Sequence, residues 1–206
     1  MKLINGFFWP DSDRDCHPVI LDQVKDIENV MQYIETYGAC VQAGGNVGVW
    51  ARYLAPLFRV VYTFEPNHEN FQCLNANITD HNVIKFQACL GEAPDLVNVG
   101  SPHRSEDLNC GAYQVIGKGN TPVMLIDSLG LKDCSLIYLD IEGYELFALK
   151  GAEKTIKDYK PVVSLEQKKL TNNYGCEIEA ASDWLIEHHD YEVVERIHRD
   201  IILAPR

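Results

Sequence analysis

The chain predicts an α/β fold, a mostly parallel sheet with helices on both faces. Short apolar runs alternate along it with stretches of helical period. One such run, Ala39 to Val41, meets the glycine cluster Gly44-Gly45-Asn46-Val47-Gly48, and a helical pattern (Val47, Trp50, Ala51, Leu54) follows until Pro56. Other runs end on acids at Glu65, Asp140 and Glu166. In such sheets ligands gather outside the carboxyl ends of the strands.

Residues 1–18 are rich in Asp, Pro and aromatics without periodicity, so an irregular arm is expected there, with a single domain over 19–206. Asp11, Asp13 and Asp15 alternate in that arm but complete no calcium loop, and read as solvated. From Pro18, the spacing of Ile20, Val24, Ile27, Met31 and Ile34 predicts an amphipathic helix ended by Gly38. Strands follow at Ala39–Val41 and Arg59–Glu65, then a helix marked by Phe71, Leu74 and Ile78. Val83–Leu90 and Leu96–Val99 read as short strands, and residues 100–120, with five glycine and proline interruptions, as a long loop over a site. Pro122–Ile126, Ser135–Asp140 and Pro161–Glu166 are further strands. A helix from about Tyr144 past Gly151 separates the last two. A helix over Ile178–His188 and strands at Tyr191–Ile197 and Ile201–Ala204 complete the chain.

At 206 residues the chain is long enough to bury a real core, and its 46% hydrophobic and 23% charged content is that of a globular domain. A net charge of −12 with no basic block argues against a nucleic-acid surface. Seven scattered cysteines without CxxC or CxxxH spacing fit a reducing compartment and no zinc site. The first residues hold too short an apolar run for a signal peptide, and no stretch is of membrane-span length, so a cytoplasmic location without membrane contact is expected.

Glu65 lies 65 − 44 = 21 residues beyond Gly44, at the end of the next strand. An acid at that distance suits a ribose diol, whose two hydroxyls donate to one carboxylate. The turn lacks the GxGxxG spacing of dinucleotide binders. S-adenosylmethionine, with a ribose but no phosphate, fits the same geometry.

Val41-Gln42-Ala43-Gly44-Gly45-Asn46-Val47-Gly48, Phe64-Glu65-Pro66-Asn67 and Leu139-Asp140-Ile141-Glu142-Gly143-Tyr144-Glu145 resemble the FkbM-type class I methyltransferases. Leu149-Lys150-Gly151-Ala152 and Pro161-Val162-Val163-Ser164-Leu165-Glu166 continue the resemblance in order, over roughly 19–204. It implies a Rossmann-like, seven-stranded sheet with an antiparallel last strand. It implies S-adenosylmethionine as methyl donor to a hydroxyl of a sugar or small metabolite. By position, Gln42, Ala43, Gly44, Gly45, Asn46, Val47 and Gly48 would face the methionine half. Glu65, followed by Pro66, would hold the ribose, Ala88 and Cys89 would flank the adenine, and Asp140 would close the site. Where the family usually carries an acid before the first glycine, this chain has Gln42, a neutral acceptor for the cofactor ammonium.

Methyl transfer from a sulfonium needs alignment of acceptor, methyl and sulfur, and a general base adds roughly 10²–10⁴ for a hydroxyl. Asp140 and Glu142 are the candidate bases, with Glu166 within possible reach. A carboxylate there could alternatively ligate Mg²⁺, or Glu142 could serve only to begin the next helix. No metal is assigned. His17 and His103 lie in segments able to fold over the site, and Trp9, Tyr113 and Tyr144 could wall it or pack in the core. The expected partner is a small-molecule or glycosidic acceptor. The same device would also serve another nucleophile, such as an amine, or a cofactor-binding protein without catalysis.

Overall fold

Ala39–Ala43 (β3) is the axis of the structure, a computed structural model that describes residues 1–101 and 109–206. All five of its residues are buried because they alternate between two cores. Cys40 joins the layer of Val61, Leu136 and Tyr138, while Val41 and Ala43 join Phe64, Ile137 and Leu139. A strand covered on both faces has no polar side, which is why this run shows no period-two pattern.

Leu136–Leu139 (β10) and Val60–Phe64 (β4) flank β3 in parallel, followed outward by Val162–Glu166 (β11) and Val83–Phe86 (β5). Asp200–Pro205 (β13) inserts antiparallel between β11 and Tyr191–Ile197 (β12), giving seven strands in the order β12-β13-β11-β10-β3-β4-β5. The last strand in sequence is the antiparallel one, as expected. Helices Val49–Leu54 (α3), His68–Asn77 (α4), Glu145–Lys150 (α5), Glu153–Tyr159 (α6) and Ala180–His189 (α7) follow their strands. Asn67 caps α4, its side chain accepting from the Asn70 amide at 3.0 Å.

Four expectations need correction. Residues 1–18 are not irregular: Lys2–Ile4 (β1) and Phe7–Trp9 (β2) form a hairpin. Its turn is Asn5-Gly6, both at positive φ, the pair that a type I′ turn requires. Trp9 and Phe7 are buried in the main core, so Trp9 is packing and no pocket wall. The helix from Pro18 instead runs from Cys16 to Gln23 (α1), passes through a 3₁₀ turn and ends with Ile27–Met31 (α2), well before Gly38. The helix at 144–159 is broken into α5 and α6 at Gly151-Ala152. The 100–120 loop contains a strand, Gln114–Lys118 (β8). With Cys89–Leu90 (β6), Asp95–Gly100 (β7) and Thr121–Met124 (β9) it builds a second, four-stranded sheet, β6-β9-β7-β8. No described helix is long and apolar enough to cross a membrane.

Candidate functional site

The carboxyl ends of β3, β4, β10 and β11 open into one cavity of about 250 Å³. β3 stops at Gly44, where φ is +84° and an added Cβ would lie 2.1 Å from the Asp140 carbonyl oxygen. Only glycine lets the β3 and β10 loops approach so closely. The turn is then closed by Gly45 N donating to Phe64 O and Gly48 N donating to Gly45 O, each at 2.8 Å.

Glu65, just past β4, sits behind this turn. Its Oε2 accepts the Asn46 amide and its Oε1 the Asn67 amide, both at 2.7 Å. Burial pushes its pKa up to about 8, against the pull of those two amides. Each oxygen keeps a lone pair for a further donor. Glu65 and Pro66 line the cavity with Ala43, Gly44 and Asn46, and Ala88 and Cys89 form its far wall.

Gln42, Gly45, Val47 and Gly48 are not among the cavity's lining residues. The correction at Gln42 is the informative one. Its Oε1 accepts from Thr63 Oγ1 at 2.5 Å and its Nε2 donates to Gly44 O at 2.9 Å, and the side chain is fully buried. Thr63 is its partner in the β3–β4 register. The carboxamide ties strand to turn and has no oxygen turned toward a ligand ammonium.

The acidic side of the cavity is built by the loop after β10. Glu142 and Gly143 both take positive φ, +56° and +99°. Glu145 holds them there, its Oε1 accepting from the amides of Ile141 at 3.1 Å and Gly143 at 3.2 Å. Burial raises the Glu145 pKa to about 7. A non-glycine residue in this conformation costs about 1–3 kcal/mol and persists only where its surroundings hold it, as Glu145 does here. Asp140, Glu142 and Glu166 converge here, with oxygens within 4.8 Å of one another.

Sequence reasoning missed Lys168. Its ammonium lies 3.0 Å from Glu142 Oε1 and 3.8 Å from Asp140 Oδ1, and it pairs with Glu166. Burial works against that charge, but the charges of Asp140, Glu142 and Glu166 outweigh it and hold the Lys168 pKa above the ordinary lysine value. Burial, then the Asp140 charge and a hydrogen bond with Asp140, raise the Glu166 carboxyl well above the usual carboxylate range, with Lys168 opposing. Burial also raises Glu142. The Glu166 carboxyl therefore holds a proton more tightly than an ordinary carboxylate, and Asp140 and Glu142 line the cavity beside it.

A third group covers the turn from the N-terminal side, and it overturns the solvated reading of Asp13. That carboxylate is fully buried. It accepts the amides of Cys16 and Cys110 at 3.2 Å, the His17 amide at 3.3 Å and His17 Nδ1 at 3.0 Å. Asp11 and Asp15 stay exposed. Asn46 Nδ2 donates to Cys110 O at 3.3 Å and reaches Cys16 Sγ at 3.7 Å. Asp13 and the two thiols have the proximity of metal ligands, yet four donors already fill both oxygens of Asp13. Tyr113 and Tyr144 line the cavity, whereas His17 is bound to Asp13 and packs edge-on to Trp9. His103 lies outside the described residues.

The family model for the methyltransferase FkbM domain matches residues 38–193. Among solved structures, the chain is similar to methyltransferase FkbM from Methylobacillus flagellatus KT, at 20% identity and a TM-score of 0.57. The match covers 93% of this chain and 55% of that one, so the chain spans about half the length of that protein. It is also similar to precorrin 8W decarboxylase from Methanobacterium thermoautotrophicum, with 14% identity, a TM-score of 0.56 and 100% coverage of both chains. A third likeness is to ribosomal protein L11 methylase from Lactobacillus delbrueckii subsp. bulgaricus, at 9% identity and a TM-score of 0.50, covering 90% of this chain and 78% of that one. At such identities these likenesses establish the fold, the Rossmann-like class I methyltransferase architecture. No curated protein matches the sequence.

Proposed function

The chain belongs to the FkbM methyltransferase domain family, and from that premise we propose that it is an S-adenosylmethionine-dependent O-methyltransferase acting on a hydroxyl of a sugar or small metabolite. One observation carries the reading: Glu65 and the Asp140–Glu142 loop face one cavity from either side of the glycine turn. The donor set fits the cofactor. Glu65 has lone pairs left for a ribose diol, and Phe64, Ala88, Cys89 and Leu90 offer an apolar slot for a planar base. When bound, the cofactor supplies an electrophilic methyl on a sulfonium.

The chain's own residues do the rest. Glu65 would accept from the ribose hydroxyls and so hold the cofactor in the cavity. Asp140 and Glu142 give that edge a negative potential suited to a sulfonium cation. Either can take the proton of an acceptor hydroxyl as its oxygen gains positive charge, a contribution of roughly 10²–10⁴. The N-terminal segment and residues 109–115 narrow the cavity through Cys16, Cys110 and Tyr113 and thereby limit acceptor size. Residues 19–206 would form the methyltransferase domain. With Gln42 engaged by Thr63 and Gly44, the feature that suggested a non-catalytic cofactor binder no longer concerns the ligand.

Calorimetric titration with S-adenosylmethionine, S-adenosylhomocysteine and NAD⁺ tests the cofactor. Transfer of labelled methyl to a panel of sugar and small-molecule hydroxyls tests the acceptor. Binding of the first two ligands alone, with label appearing in an ether, is expected. A folded protein that binds neither would end the proposal.

A further inference from the structure

Three carboxylates and one ammonium share a small volume at the carboxyl ends of β10 and β11. Oxygens of Asp140, Glu142 and Glu166 lie within 4.8 Å of one another. Oxygen ligands at ~2.0–2.6 Å from Mg²⁺ or Ca²⁺ are themselves roughly 3–5 Å apart. The trio therefore has the spacing of one cation's coordination shell, and its centre is already taken. Lys168 Nζ is 3.0 Å from Glu142 Oε1 and 3.8 Å from Asp140 Oδ1, and pairs with Glu166. An ammonium offers three donors and no acceptor, so it can address each carboxylate once.

The lysine is also held in place. The neighbouring Gln167 amide donates to Arg199 O at 2.8 Å, and Gln167 Nε2 donates to Ser182 Oγ at 2.9 Å. These contacts tie the backbone beside Lys168 to the β12–β13 turn and to α7. The Lys168 side chain is only 18% exposed, so the charge is not free to swing into water.

We propose that Lys168 is a positioning residue that stands where a divalent cation would otherwise sit, holding the Asp140 and Glu142 carboxylates toward the cavity without a metal. A tethered ammonium must be displaced before a metal can enter, so the native site stays closed to divalent cations. Removing the charge leaves a preformed oxygen cage. The inference concerns the acceptor edge of the proposed methyltransferase, but its test uses neither cofactor nor acceptor, so either idea can fail alone.

Manganese(II) chloride is titrated calorimetrically into wild type, Lys168→Met, Lys168→Gln and Lys168→Arg, with Lys168→Met/Glu142→Gln as control. The two neutral variants are expected to bind one Mn²⁺ at least tenfold more tightly than wild type. Lys168→Arg should behave as wild type, and the control should lose the site. Equal Mn²⁺ affinity in wild type and a neutral variant overturns the proposal, as does a folded neutral variant that binds none. Circular dichroism establishes folding. If neither neutral variant folds, Lys168 is a structural residue and the proposal fails as well.

Discussion

Substituting Glu65 with Gln should separate its role in the fold from its role toward a ligand. In the native protein its two oxygens accept the amides of Asn46 and Asn67. A carboxamide can accept only one of them, and its NH₂ faces the other. One buried donor is left without a partner, at a cost of about 1–3 kcal/mol. The pH dependence has a definite sign. Burial raises the folded-state pKa from 4.5 to about 8, so this group's stabilising contribution is complete below pH 4.5 and is lost as pH rises through 8. The variant lacks that slope, which is at most ~1.4 kcal/mol per pH unit. Its destabilisation is therefore largest near pH 5 and shrinks toward pH 8, as urea unfolding at pH 5, 6, 7 and 8 would report. Toward S-adenosylhomocysteine, replacing one acceptor oxygen that faces the ribose hydroxyls with an NH₂ should cost about 1–3 kcal/mol, roughly 5- to 150-fold in Kd. A folded Glu65→Gln protein whose Kd stays within about threefold of wild type would refute the ribose assignment.

Asp140→Asn and Glu142→Gln should separate the bases: the variant that loses roughly 10²–10⁴ in methyl-transfer rate names the proton acceptor. Both should keep S-adenosylhomocysteine affinity within about tenfold, and full rates in both would remove these carboxylates from the mechanism. Gly44→Ala places a methyl against the Asp140 carbonyl at a positive φ. It should destabilise by about 2–5 kcal/mol, seen as a drop in Tm, and a native-like Tm would contradict the packing described. Asp13→Ala strands three buried amides, of Cys16, His17 and Cys110, at about 3–5 kcal/mol in urea unfolding. The Glu145 and Asp200 carboxyls, raised by burial to about 7 and about 6, add their own loss of stability as pH rises from 5 to 8. Glu145→Gln should flatten that part of the profile.

The β3–turn–α3 unit, Glu65 and Asp140 were legible because each is announced locally, by an apolar run that ends on glycine or acid. Lys168 was not, since nothing near it in sequence marks it. Its place depends on β10 and β11 lying side by side with Leu139 opposite Leu165, which brings residues 28 apart in sequence (168 − 140) to one point. Gln42 was read correctly as strand-end but wrongly as ligand-facing, because its partner is Thr63 across the sheet. The Asn5-Gly6 hairpin had its turn signal in plain view. Strands of three residues are too short to show alternation, so tertiary packing of Phe7 and Trp9 decides them. Asp13 looked solvated for a similar reason: its donors include Cys110, nearly a hundred residues away.

The first strands and the glycine turn share one side chain. Asn77 Nδ2 donates to Phe8 O and to Val47 O, each at 2.8 Å, while its Oδ1 accepts the Phe8 amide at 2.7 Å. An opening of the hairpin that carries Asn77 away also frees Val47 O, and a ligand that steadies the turn opposes that opening by the same free energy with which the opening weakens the ligand. Ligand occupancy adds RT ln(1 + [L]/Kd) to any opening that releases the turn. Deuterium uptake at the Phe8 amide then gauges the pocket to the extent that it proceeds through that opening, slowing about tenfold for each ~1.4 kcal/mol by which the ligand opposes it. A spectroscopic label beside the hairpin could read occupancy without touching the site.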